Sequence, residues 1–269
     1  MKMMKKYRVD PGSKIRLADL DASDTQFSDG KSESKKEIAD TLEKLEPLQD
    51  LLYAAHDRKL LIILQGIDTS GKDGTIRSVF EGMDPIGIRI ASFEVPTKEE
   101  LDHDFLWRIH RQVPGKGEVT IFNRSHYEDV LVVRVRNLAP EEVWRPRYKQ
   151  IVEFEKMLTE TGTAVLKFYL HIDKEEQRER LQARIEDPAK IWKFRRGDLE
   201  DRLLWDEYQS AYEEMLSKTS TKFAPWYVIP SNHKWYRNVV ISRIILETLQ
   251  SFEMSYPAPE EGVENIIVE

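Results

Sequence analysis

One stretch limits the architecture more than any other. Lys59-Leu60-Leu61-Ile62-Ile63-Leu64-Gln65 is an apolar run of strand length. It passes directly into Gly66-Ile67-Asp68-Thr69-Ser70-Gly71-Lys72-Asp73-Gly74, and Thr75 to Gly82 reads as a helix. The turn fits the phosphate-cradling pattern G-x-x-x-x-G-K in its required strand-to-helix context. Gly66 and Gly71 admit backbone angles closed to other residues, so successive N–H groups can converge on an anion. The following helix presents its positive end to that anion, and Lys72 adds a mobile full charge. The expected phosphate contacts are Gly66, Thr69, Ser70, Gly71, Lys72, Asp73 and Gly74. Asp73 stands where a magnesium-binding Ser or Thr usually follows the lysine, and Asp68 puts a second carboxylate inside the loop. Carboxylates in a phosphate nest make sense if a metal ion or a basic cluster intervenes.

The rest of the chain alternates strands and helices, which predicts a parallel sheet with helices on both faces. The predicted strands are 60–65, 88–93, 118–122, 164–172 and one within 225–230. Helices are expected over 32–56 (kinked or split at Pro47), 99–112, 126–161 with a break near Pro146, 198–217 and 235–252. Residues 1–31 read as an N-terminal extension, 32–255 as the domain built around the phosphate loop, and 256–269 as an acidic, proline-bearing tail. The 269 residues suffice for one large α/β domain. A net charge of −7 excludes a generic nucleic-acid binder, so any polyanion must meet a local basic patch. Absence of cysteine excludes a disulfide scaffold and thiolate metal sites. The basic start lacks a signal-peptide core and no run reaches membrane-spanning length, which predicts a cytoplasmic protein with no membrane partner.

Further chemistry is expected at the carboxyl ends of the third and fourth strands, since ligands bind there in open α/β sheets. The third strand ends in Asn123-Arg124-Ser125-His126-Tyr127-Glu128-Asp129. Ser125 and the acids also suit a helix start, but Arg124 does not; it suits a bidentate phosphate clamp. Glu128 and Asp129 suit magnesium or a nucleotide hydroxyl. A second cluster, 184–197, carries Arg184, Lys190, Lys193, Arg195 and Arg196 in a chain acidic overall. A cationic lid, about 184–205, that excludes water from phosphoryl transfer is the reading that accounts for it.

Taken together, Gly66-x-Asp68-x-x-Gly71-Lys72-Asp73-Gly74, Asn123-Arg124-Ser125, Asp187-Pro188-x-Lys190-x-Trp192-Lys193, Asp198-Leu199 and Trp205-Asp206-x-Tyr208 resemble the polyphosphate kinase 2 family over about residues 35–250. The resemblance implies a thymidylate-kinase-like P-loop fold: a three-layer α/β arrangement with a five-stranded parallel sheet and a helical lid. It implies reversible, magnesium-dependent phosphoryl transfer, with manganese as a substitute, between inorganic polyphosphate and adenine nucleotides, guanine nucleotides being a further candidate. Asp68, Lys72, Arg124 and Arg184 match the family's catalytic positions. Many members have Asp-Arg-Ser where this chain has Asn123-Arg124-Ser125. That departure resembles the class III subgroup, which accepts both AMP and ADP, and it moves the acidic metal ligand paired with Asp68 to Asp129. Asn123 and Glu128 then turn toward the nucleotide, and a homo-oligomer, dimer or tetramer, is expected. The alternative is an ATP-dependent nucleoside monophosphate or small-metabolite kinase.

Overall fold

The structure, a computed structural model, describes residues 2–263 and 266–268; Met1 and, in the predicted tail, positions 264, 265 and 269 lie outside the described residues. Five parallel strands form one sheet: β1 (Lys59–Gln65), β2 (Ile88–Ser92), β3 (Val119–Asn123), β4 (Thr163–His171) and β5 (Trp226–Pro230), in the order β2-β3-β1-β4-β5. Central β1 pairs with β3 (Ile63 opposite Phe122) and with β4 (Ile63 opposite Lys167). Its side chains alternate between two cores. Leu60, Ile62 and Leu64 face one, Leu61 and Ile63 the other. Burial on both faces is why the strand reads as a continuous apolar run rather than an alternating one.

The helices are α1 (Lys2–Tyr7), α2 (Lys31–Ala55), α3 (Lys72–Val79), α4 (Lys98–Asp102), α5 (Trp107–His110), α6 (Val132–Val135), α7 (Glu141–Trp144), α8 (Arg147–Glu160), α9 (Lys174–Glu186), α10 (Arg196–Leu203), α11 (Trp205–Thr219) and α12 (Lys234–Gln250). Leu45 and Leu52 of α2 and Val240 and Ile244 of α12 cover one sheet face. Ile151 of α8 and Ala211 and Met215 of α11 cover the other.

Four expectations are corrected. The helix 32–56 is not split, because α2 runs through Pro47 without interruption. The stretch 99–112 is two short helices, and 126–161 is a 3-10 turn (His126–Val130) followed by α6, α7 and α8. Asn137 at φ 52° and Pro140 interrupt the latter before Pro146 is reached. The helix expected from 198 to 217 is likewise broken at Leu204, between α10 and α11.

Residues 2–24 do not hang free. Arg8 bridges Tyr227 in antiparallel register, and Val9 N–H donates to the Trp226 carbonyl at 2.8 Å, so this segment covers the outer edge of β5. Leu17 and Val9 are buried in the core. Among the described residues no helix is long and apolar enough to cross a membrane.

Candidate active site

The loop between β1 and α3 has the form its glycines require. Gly66 sits at φ 155°, Gly71 at φ 105°, and Thr69 shares the left-handed region at φ 67°. At Gly66 a Cβ would lie 2.6 Å from Ser70 Oγ and 2.9 Å from the Leu170 carbonyl, so the backbone approach also demands glycine. Lys72 is buried and folds back, its Nζ donating to the Gly66 carbonyl at 2.6 Å. Burial and the Arg124 charge depress its pKa to about 8, against the pull of Asp68, Glu128 and Asp73. The hydroxyls of Thr69 and Ser70 are buried without a partner among the described residues, as donors awaiting an anion would be.

Arg124 follows β3, its backbone N–H still held by the Leu64 carbonyl at 3.1 Å. Its φ of 62° is costly for a residue with a Cβ, and such strain concentrates where a side chain must be aimed. The guanidinium reaches Asp68 Oδ1 at 2.9 Å. Burial disfavours its charge, but Glu128 and Asp68 overcome this and hold it firmly ionised. Asn123 Nδ2 donates to Asp73 Oδ1 at 2.9 Å, and Lys193 Nζ lies 3.5 Å from Asp73 Oδ2. Asp73 thus ties α3 to β3 and to the basic segment. Those partners keep its carboxyl below the usual range despite burial.

The two acids after Arg124 diverge. Burial pushes Glu128 up, while Arg124 and Lys72 oppose it. Glu128 therefore shares the field of the loop. Asp129 is instead committed to Arg147 at 2.7 Å, and it lies in the field of Arg108. Burial raises its pKa to about 6. Asp129, expected to share a metal with Asp68, is thus held by Arg147, while Glu128 is the acid in the field of Lys72 and Arg124. The physical reason is the 3-10 turn, which points consecutive side chains to different sides.

The basic segment comes down over the loop at some positions only. Arg184, in the last turn of α9, lies 3.4 Å from Asp198 Oδ2. Burial, and then the Asp68 charge, raise Asp198, which places the start of α10 beside the loop. Lys193 reaches Asp73, as above. Lys190 instead pairs with its neighbour Asp187, and Arg195 and Arg196 are exposed. Gly74 sits beside Arg237, whose Nη2 would lie 3.6 Å from a Cβ at that position. Arg237 and Arg180, which touch the rear of the loop, carry no signal in the sequence that separates them from other surface-type arginines.

A strand, a glycine nest, a buried lysine and a converging arginine define a P-loop kinase. The chain belongs to the polyphosphate kinase 2 family, whose profile matches residues 28–257. It is 57% identical over 267 residues to the AMP/ADP-polyphosphate phosphotransferase of Meiothermus ruber, covering 99% of this chain and 100% of that protein. It is 42% identical over 265 residues to the ADP-polyphosphate phosphotransferase of Rhodopseudomonas palustris, covering 94% of this chain and 92% of that one. The crystal structure of polyphosphate kinase 2 from Arthrobacter aurescens TC1 superposes with a TM-score of 0.94 at 41% identity, over 98% of this chain and 94% of that chain.

Proposed function

We propose that this protein transfers phosphoryl groups from inorganic polyphosphate to AMP and ADP, giving ADP and ATP, reversibly and with magnesium. The observation that carries the reading is the convergence of Lys72, Arg124 and the basic segment on one loop, in a chain alike end to end to a relative named for that reaction.

The nest N–H groups, the free hydroxyls of Thr69 and Ser70 and the Lys72 ammonium hold the phosphoryl group in transit. An oxygen of the acceptor's terminal phosphate attacks the end phosphorus of the polyphosphate. The bond to the next phosphate breaks, and the shortened chain leaves with that electron pair. The attacking oxygen is already anionic, so no general base is required. Arg124 and Arg184 neutralise the equatorial oxygens of a loose transition state, and positioning with charge stabilisation supplies most of the rate. Lys193, Arg195 and Arg196 line the approach of the long anion, and Lys190 turns toward it by exchanging Asp187 for phosphate.

Among the described residues no three His, Asp or Glu side chains form a ready-made metal cage. That fits magnesium, which takes one or two protein carboxylates and fills its shell with phosphate oxygens and water. Asp68 and Glu128 are the hard oxygen donors in position to hold it, and manganese would serve in its place. When bound, the ion offsets phosphate charge. The acceptor nucleoside is assigned to a cavity of about 370 Å³ at the carboxyl end of β2, lined by Phe93, Glu94, Glu100 and Arg108. Arg108 donates to the Glu94 carbonyl at 2.8 Å and links this cavity to Asp129. A cytoplasmic homo-oligomer, dimer or tetramer, belongs to the same reading.

A donor–acceptor matrix tests the function. Polyphosphate or ATP is offered to AMP, ADP, GMP and GDP with magnesium, and products are separated. ATP formed from AMP and polyphosphate alone is the expected result. Phosphorylation of AMP only when ATP is the donor would establish the alternative kinase.

A further inference from the structure

Two arginines with no part in the scheme above lie directly behind the phosphate loop. Arg180, on α9, donates from Nη1 to the carbonyls of Thr69 at 2.9 Å and Ser70 at 3.0 Å. Its Nη2 serves the carbonyls of Ser231 at 2.5 Å and Asn232 at 3.0 Å, in the turn between β5 and α12. Arg237, on α12, donates from Nη1 to the same Ser70 carbonyl at 3.3 Å, and from Nε and Nη2 to the Asn238 side-chain oxygen at 3.1 and 2.9 Å. Arg237 is 2% exposed.

The two differ in charge balance. Arg180 has Glu176 at 2.6 Å. Arg237 has no carboxylate within ion-pair distance among the described residues, and a second guanidinium is its near neighbour. A buried cation held only by neutral oxygens is costly unless something supplies the opposite charge. A glycine nest that turns its N–H groups inward turns its carbonyls outward, and those carbonyls need donors of their own. Gly71 records the fit, because a Cβ there would stand 2.0 Å from Arg237 Nη1. Burial, reinforced by Arg180, depresses the Arg237 pKa to about 9, consistent with a cation lacking its counter-charge.

The structure assigns Arg180 and Arg237 as positioning residues of the phosphate loop: they hold the Thr69 and Ser70 carbonyls away from the ligand, and the buried charge of Arg237 is balanced by the bound phosphate chain. Because α9 continues into Arg184 and the basic segment, Arg180 also fixes the root of the lid against the loop. This inference rests on the loop binding phosphate, so its test begins with that.

Calorimetry with inorganic tripolyphosphate is performed on the full-length wild type, Arg237→Met and Arg237→Lys, alongside thermal unfolding without ligand. Arg237→Met should keep or raise the unliganded Tm, since an uncompensated buried charge is removed. Its affinity for tripolyphosphate should fall by about tenfold or more, the scale of a lost charged contact. Arg237→Lys, which keeps the charge, should recover most of that affinity. Unaltered affinity in Arg237→Met overturns the inference, as does a lowered unliganded Tm with affinity equally poor in both variants. If Arg237→Met does not fold, that counts as the structural outcome unless Arg237→Gln folds with wild-type Tm and weakened binding. Failure of the wild type itself to bind tripolyphosphate would overturn the functional reading along with this one.

Discussion

Lys72 lies in a neighbourhood of mixed sign, where burial and Arg124 outweigh three nearby carboxylates and bring its pKa to about 8. The ammonium is the form that grips phosphate, and it is lost as pH rises through that value. In the free enzyme, kcat/KM for polyphosphate should therefore fall with rising pH on a limb centred at about 8, and the limb should vanish in Lys72→Arg whatever rate remains. A limb that persists in Lys72→Arg would assign it to another group. The two neighbouring acids offer a second test at this scale. Glu128→Gln should lower magnesium-dependent turnover by about 100-fold or more, as loss of a preorganised charge does, whereas Asp129→Asn should cost about tenfold at most. The reverse order, read from steady-state kinetics across a magnesium titration, would restore Asp129 as the metal-side acid.

The elements show where local rules yield to packing. Pro47 is exposed on α2 and removes the N–H that residue 43 would otherwise receive, yet α2 continues because Leu45 and Leu52 on its other face are fully buried. Pro47→Ala should restore that hydrogen bond and raise stability by about 1–3 kcal/mol, read as a higher denaturant midpoint with unchanged slope. The strands were legible to within a residue or so, because buried parallel strands are uninterrupted apolar runs bounded by polar turns. The break-up of 126–161 was not. Tyr127, whose hydroxyl donates to Glu155 at 2.7 Å, is placed by a contact made only in the folded chain.

At the scale of the molecule, a buried polar cluster joins the sheet to the helices beneath the site. Lys167 of β4 donates to Glu155 Oε2 of α8 at 2.6 Å, to Tyr127 Oη at 2.9 Å and to the Thr219 carbonyl at 2.8 Å. Tyr127 donates to Glu155 Oε1 at 2.7 Å, which also lies 3.3 Å from His126 Nε2. Burial opposes its ionisation, but Lys167 and His126 hold Glu155 below the usual carboxylate range. The cluster anchors His126 and Tyr127 in the turn that also carries Glu128. Lys167→Met should destabilise by about 3–5 kcal/mol because it strands a buried carboxylate, and adding Glu155→Leu should return part of that loss. Denaturant unfolding of the four proteins in the cycle measures this. Additive losses would show that the pair is not coupled.

The phosphate loop and the strands of the sheet were decided by contiguous residues, and the family by short motifs spread between Gly66 and Tyr208. A nest needs glycines at fixed spacing and a buried strand needs an apolar run, and both are written locally. What only the tertiary structure decided lies between distant segments. It turned Asp129 to Arg147 and left Glu128 facing the loop, a choice a 3-10 turn makes and a residue list cannot. It also brought Arg180 and Arg237, more than 100 positions away in sequence, against the carbonyls behind Gly71. No local pattern marks such residues, because their partners are backbone oxygens that any sequence supplies.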